Sequence, residues 1–131
     1  DTLYIAGWDS GLSILDVSTP SRPVRQGRYM ELVGDHELVP PGASSRQIMM
    51  DVSVSGGVAY VTYNFGVDHG TWTQTLESGI IAVDVSDPAN PKRMTVYPEL
   101  DSVSGVCAAG DLVFAIDQSQ GLAVLSLDRT E

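Results

Sequence analysis

A stretch of 13 residues occurs twice in this chain and begins a third time. Residues 79–91 read Gly-Ile-Ile-Ala-Val-Asp-Val-Ser-Asp-Pro-Ala-Asn-Pro, and residues 11–23 read Gly-Leu-Ser-Ile-Leu-Asp-Val-Ser-Thr-Pro-Ser-Arg-Pro. Gly, Asp, Val, Ser and both prolines keep their offsets. A shortened copy, Gly-Leu-Ala-Val-Leu-Ser-Leu-Asp, starts at Gly121; it has Ser126 in place of the Asp and lacks the prolines. An internal repeat constrains architecture before any single residue does, because one supersecondary unit must then be stacked several times.

A second motif precedes each copy. Thr2–Ala6, Val58–Thr62 and Leu112–Ile116 are β-branched and apolar around a central aromatic, Tyr4, Tyr60 or Phe114. Such segments bounded by turn residues read as strands. Before two of them stands a further strand and a Gly turn, Val52 to Gly57 and Val106 to Asp111, with the glycines a tight hairpin requires. The unit is thus four strands, a to d. Strand c closes on Asp-Val-Ser, a Pro-x-x-Pro corner follows, and strand d covers Val24–Tyr29 or Arg93–Tyr97. Asp16 and Asp84 are expected to accept backbone N–H bonds in those corners, which Pro20, Pro23, Pro88 and Pro91 bend out of the ladder. No stretch has the 3.6-residue period of an amphipathic helix.

Gly79 to Gly121 is 42 residues, the length of a four-stranded propeller blade. The paired motifs, Gly-Leu-x-Ile-Leu-Asp-Val-Ser-x-Pro-x-x-Pro and Val-Ser-Gly-x-x-Ala-Tyr-Val at Val54–Val61, resemble the LVIVD family of β-propellers. The resemblance implies an all-β fold of four-stranded antiparallel blades. It also implies a bacterial or archaeal surface or secreted protein that contacts proteins or glycans.

The expected blades are incomplete. Strands b to d of the first occupy residues 1–30, the second spans 49–98, and strands a to c of the third occupy 101–128. About two and a half to three blades leave the inner edge of the first and the outer edge of the last unpaired. Propellers close with roughly four to eight blades. Open edges template aggregation. The remaining blades are therefore expected from the same longer polypeptide or from other chains.

The first repeat interval, Gly11 to Gly79, is 26 residues longer than the second. The excess lies in two insertions, an expected loop over 30–48 between strands d and a, and another over 64–78 between b and c. In an antiparallel meander both connections emerge at the same end of the blades. Long loops on a rigid scaffold are where binding residues concentrate. These loops hold both histidines, in Asp35-His36-Glu37 and in Asp68-His69-Gly70-Thr71-Trp72, together with Arg46. Histidine and carboxylate are the donors of a zinc or copper site. They are equally the makings of a solvated loop, and the pattern alone leaves both readings open. No other cofactor is expected. His36-Glu37 opens like a zincin helix, but Pro40 stands where the second His would be. Trp72, with Tyr63 and Phe65, is either a stacking platform for a sugar or partner side chain, or packing for the loop.

Composition narrows the partners. Seven basic against seventeen acidic residues give a net charge of −10, which repels nucleic acid and anionic membranes. No apolar run reaches the roughly 18 residues of a membrane span. Cys107 is the one cysteine, between apolar neighbours, and is expected to be a buried, inert thiol. No nucleophile elbow, P-loop or calcium loop is present. Three roles stay open: a binding or scaffold module that is not an enzyme, a metal-binding or metal-dependent propeller using His36 and His69, and a structural subunit of a larger complex.

Overall fold

Each copy of the repeat forms its own antiparallel sheet, and the three sheets stack face to face. The computed structural model describes residues 1–128. The first sheet is β1 (Thr2–Ala6), β2 (Leu12–Asp16) and β3 (Val24–Tyr29) in sequence order. The middle sheet contains β4 (Ser45–Ile48), β5 (Val52–Ser55), β6 (Val58–Asp68), β7 (Thr73–Asp84) and β8 (Lys92–Leu100). The last consists of β9 (Val103–Ala109), β10 (Leu112–Asp117) and β11 (Gly121–Ser126). The chain is all-β, with partial propeller blades on either side of a complete one.

Side-chain alternation explains the stacking. Along β6, Ala59, Val61, Tyr63 and Phe65 face the first sheet, joining Leu12, Ile14, Tyr29 and Met49 in one core. Val58 and Tyr60 face the last sheet, in a second core with Ile80, Ala82, Val113 and Ala115. A strand buried on both faces is apolar almost throughout, whereas a half-buried one alternates. That is why the middle blade carries the densest apolar sequence.

The same repeat position is buried or exposed according to whether a blade stands beside it. Leu12 and Ile80 are 0% and 4% exposed, but their counterpart Leu122 is 67% exposed. Ile14, Ala82 and Val124 follow the same series, at 0%, 4% and 55%. On the opposite face the order reverses. Leu3 and Ile5 of β1 are exposed, while Ala59, Val61, Val113 and Ala115 are buried. The same alternation corrects the expectation for Cys107. It is exposed, because it sits on the outer face of β9 beside Phe114 rather than against the middle blade.

The turns follow the motif chemistry. Asp16 accepts the Ser18 N–H at 2.9 Å and Asp84 the Ser86 N–H at 2.9 Å. Pro20 and Pro88 each occupy the second position of a turn closed by Arg22 N–H to Thr19 O and Asn90 N–H to Asp87 O. Gly56 and Gly57 both have positive φ, as a two-residue hairpin of this twist requires. The glycine that opens strand c has a different reason. A Cβ at Gly11 would collide with the Tyr29 carbonyl oxygen of β3, and one at Gly79 with the Tyr97 carbonyl oxygen of β8.

Two corrections concern the insertions. Residues 64–78 are not a loop for most of their length: β6 and β7 run on as one long hairpin whose register extends to Asp68↔Thr73. Tyr63 and Phe65 lie buried within it. The first insertion, expected as a loop, contributes β4, which pairs with the outer half of β6. Strand a of the middle blade is thereby split into β4 and β5. Between the halves Met49 leaves the sheet to exchange two backbone bonds with Trp8 at 2.8 and 2.9 Å. Thr62 fills the break. Its buried Oγ1 accepts the N–H groups of Met50 at 3.3 Å and Asp51 at 3.0 Å. The inner strand of the last sheet is tied to the middle one by side chains: Asp51 and Ser53 accept the N–H groups of Val106 and Ala108 at 3.0 and 2.9 Å.

Thr62→Val keeps the shape of Thr62 and removes that acceptor, so it should cost about 2 kcal/mol of stability in urea denaturation. Asp117 gives a pH prediction. Burial raises its carboxyl, but N–H bonds from Asp101, Ser119 and Ser102 and the Ser119 hydroxyl outweigh this and hold it at about 2. A depressed carboxyl stabilises the fold fully above the unfolded value of about 3.9. That stabilisation disappears as pH falls through about 2. Asp117→Asn should lower stability at pH 7 and should lose less than the parent between about pH 4 and pH 2, as measured by urea melts across that range.

Candidate functional site

The two long segments meet, as connections at one end of the blades should. Gln47, on β4 and buried, holds the first insertion down: its amide Nε2 donates to Glu31 O at 2.7 Å and its Oε1 accepts from Val33 N–H at 2.9 Å. Gly34 then lies flat on the ring of Phe65, where any Cβ would collide with the ring carbons. Glu77 of β7 clamps both segments, accepting the Tyr63 hydroxyl at 2.6 Å and the Asp35 N–H at 3.2 Å. Burial, with the Glu77 carboxylate alongside, pushes the Tyr63 phenol well above its ordinary range, so it stays protonated as a donor.

The sequence-predicted residues fall into two groups. Asp35, His36 and Glu37 form a short 3-10 turn, His36–Leu38, capped by the Asp35 carboxylate on the Glu37 N–H at 2.9 Å. The His36 ring stands edge-on to Phe65, 5.2 Å between centroids. Asp68, His69 and Trp72 lie instead at the tip of the β6–β7 hairpin. There His69 stacks on Trp72 with centroids 4.2 Å apart and planes 15° apart, and its Nε2 lies 3.3 Å from Gln74 Oε1. Each histidine is engaged with its own aromatic ring, and among the described residues no three His, Cys, Asp or Glu side chains are grouped to hold a metal ion.

Arg46 is on β4 rather than in a loop, and it organises the hairpin tip. Its guanidinium reaches Asp9 Oδ2 at 3.2 Å, Asp68 Oδ1 at 3.9 Å and the Gly70 carbonyl at 3.3 Å. It thereby ties the b–c turn of the first blade to that of the second. Asp9 brings Trp8 with it. Trp8 and Trp72 are both exposed by more than half, at 55% and 56%. Trp8 also adopts φ of 54°, the left-handed region that a bulky side chain avoids. Its bonds to Met49 and the Ser10–Gly7 turn hold it there. A non-glycine in this region costs roughly 1–3 kcal/mol and is found most often where a side chain must be aimed.

Trp8 and Asp9 are functional candidates that sequence reasoning missed. The signal was available: Gly7-Trp8-Asp9-Ser10-Gly11 is the b–c connection of the first blade, the counterpart of the elongated hairpin in the second. The two turns they complete carry two exposed tryptophans, one of them stacked on His69, and are joined by an arginine whose charge is shared by two carboxylates. Such a surface suits a ligand with both C–H faces and hydroxyl groups. Arg46→Gln should cost no more than about 1 kcal/mol, because the pair is only partly shielded from water. It should also shift the fluorescence maximum of the tryptophans, measured in the folded baseline, as the two turns separate.

No curated protein and no solved structure matches the chain. The LVIVD repeat does match, over residues 1–31, 48–66 and 77–98. The gaps between these segments fall where β4 and the hairpin extension interrupt the regular blades. With more than half of its residues covered by this repeat, the chain belongs to the LVIVD repeat family.

Proposed function

We propose that this propeller segment is a non-enzymatic binding and scaffold module, at the cell surface or secreted, which recognises a glycan or a protein through the b–c and d–a end of its blades. The observation that carries the reading is the pair of exposed tryptophans, Trp8 next to Asp9 and Trp72 in the turn of Asp68 and Gly70, on the two turns that Arg46 ties together. An exposed indole offers a flat apolar face with a polar N–H, which is why such rings are enriched at interfaces. The blades beneath them are rigidly packed, so the platform is preorganised. In the same reading the bare apolar faces around Leu122 and Val124 on one side and Leu3 and Ile5 on the other receive the remaining blades of the propeller. The extracellular setting rests on the resemblance to surface propellers; among the described residues no helix is long and apolar enough to cross a membrane.

An immobilised panel of neutral and acidic oligosaccharides tests the glycan arm. Binding should be found for at least one neutral glycan, and Trp72→Ala should weaken it roughly tenfold, the equivalent of about 1.4 kcal/mol. The melting temperature should stay within a degree or two. Equal binding by a Trp8→Ala/Trp72→Ala double variant would place recognition elsewhere on the molecule.

A further inference from the structure

Charge is distributed unevenly over the first two blades, and its distribution bears on the two exposed tryptophans. Asp9 and Asp68 stand on the two turns that Arg46 joins. Asp35 and Glu37 belong to the 3-10 turn of the first insertion, and Glu77 holds the Asp35 N–H. Among the described residues, Arg46 and Arg28 are the cations that reach these turns, and both are engaged. Arg46 is taken up by Asp9, Asp68 and the Gly70 carbonyl, and Arg28 donates through Nε to the Ser10 carbonyl at 2.8 Å. Five carboxylates therefore stand against two guanidiniums. Glu31 adds nothing to the excess, because Arg93 lies 3.6 Å from it. The other described basic residues, Arg22, Arg25 and Lys92, lie on β3, on β8 or in the corner that enters β3.

The carboxylates are open to a ligand. The Asp9 side chain is 60% exposed even with Arg46 on one of its oxygens, and Glu37 is exposed as well. The histidines do not offset the excess by position, since His36 is turned onto Phe65 and His69 onto Trp72. His69 covers one face of the Trp72 indole and leaves the other to solvent, where the residue as a whole is 56% exposed. An indole face is the negative side of a ring quadrupole, and tryptophan is the best of the aromatic side chains at holding a cation. Rings and carboxylates thus favour the same sign of charge in a ligand.

Taking the tryptophans as the recognition surface proposed for this propeller segment, we infer that its protein partner presents a basic segment, whose arginine or lysine side chains lie on the Trp8 and Trp72 rings with their charges against Asp9, Asp68 and Glu37. A neutral saccharide gains only from the rings, whereas a cationic side chain gains from rings and carboxylates together. Arginine suits the surface better than lysine. Its planar guanidinium stacks on an indole while its N–H groups reach a carboxylate. The two rings are on separate turns, so an extended segment with basic residues at intervals engages both. The net charge of −10 draws such a segment in from a distance and makes its capture sensitive to salt.

The probe is the synthetic peptide Gly-Arg-Gly-Arg-Gly-Arg-Gly, titrated into the intact chain by calorimetry. It should bind at low salt and weaken about tenfold as ionic strength is raised to physiological. The same peptide with citrulline for arginine keeps the planar shape and loses the charge; it should bind at least tenfold more weakly. Trp8→Ala/Trp72→Ala removes both rings and no charge, and should cost tenfold or more in affinity for the arginine peptide. Glu37→Gln should cost about threefold, as an exposed charge does. Equal binding by the double tryptophan variant would overturn the proposal, because attraction to the net charge then suffices. Equal binding of the citrulline peptide would overturn it as well. Self-association of the chain that the double variant abolishes would put a second copy in the partner's place, with the same result. If a neutral glycan binds through Trp72 and the arginine peptide does not, the tryptophan surface stands and the basic partner falls. If neither binds, both fall.

Discussion

Burial of the β6–β7 hairpin on both faces is the condition on which the rest of the structure depends. Its two sets of alternating side chains generate two separate cores, one with each neighbouring sheet. Fully burying an aliphatic or aromatic side chain is worth roughly 1.5–3 kcal/mol. The middle blade collects that on both sides, and each outer blade on one only. The outer blades consequently depend on the middle one. Polar side chains then set the spacing between the sheets, with Asp51, Ser53, Ser78 and Asn64 all bonded to the backbone of β9. The cores supply the driving force, and these bonds determine how β9 sits against the middle blade.

The irregular parts of the molecule grow from the same hairpin. Extending β6 past Thr62 created a second stretch of apolar face, Tyr63 and Phe65, which the first sheet is too short to cover. The first insertion covers it, with Gly34 on the Phe65 ring and Gln47 and Glu77 satisfying the polar groups brought in with it. Beyond that covered region only the tip remains in solvent, carrying His69 and Trp72. The exposed platform is thus the end of a rigid structural extension, and its position relative to Trp8 is set by Arg46.

The bare edges and faces belong to the same logic. In a stacked repeat each unit contacts only its neighbours, so a sheet with a neighbour on one side leaves its other face bare. Leu122 and Val124, at 67% and 55% exposed, lie on such a face among the described residues. Each has a buried counterpart two blades away whose surroundings show what chemistry it is shaped to meet.

Much of this was legible without coordinates. The recurring Gly-x-x-x-x-Asp-Val-Ser motif and its partner strand specified the blade, its strand order, its Asx turns and the end at which both insertions emerge, because each of these follows from local backbone chemistry and from period-2 alternation. The conversion of residues 64–78 from loop to strand was not legible, since Gly66 and the mostly polar run Thr73 to Ser78 look like turn composition; pairing of the two arms with each other and with β4 overrides that preference. Nor was the exposure of Cys107, which depends on what stands beyond the sheet rather than on its own neighbours. The same holds for the meeting of Asp9 with Arg46 across 37 positions of sequence. Local pattern determined the strands of the regular blades and which way each of their residues faces. Only the stacking of the sheets decided which of those faces are covered, because burial is a property of the neighbour and not of the strand that bears the side chain.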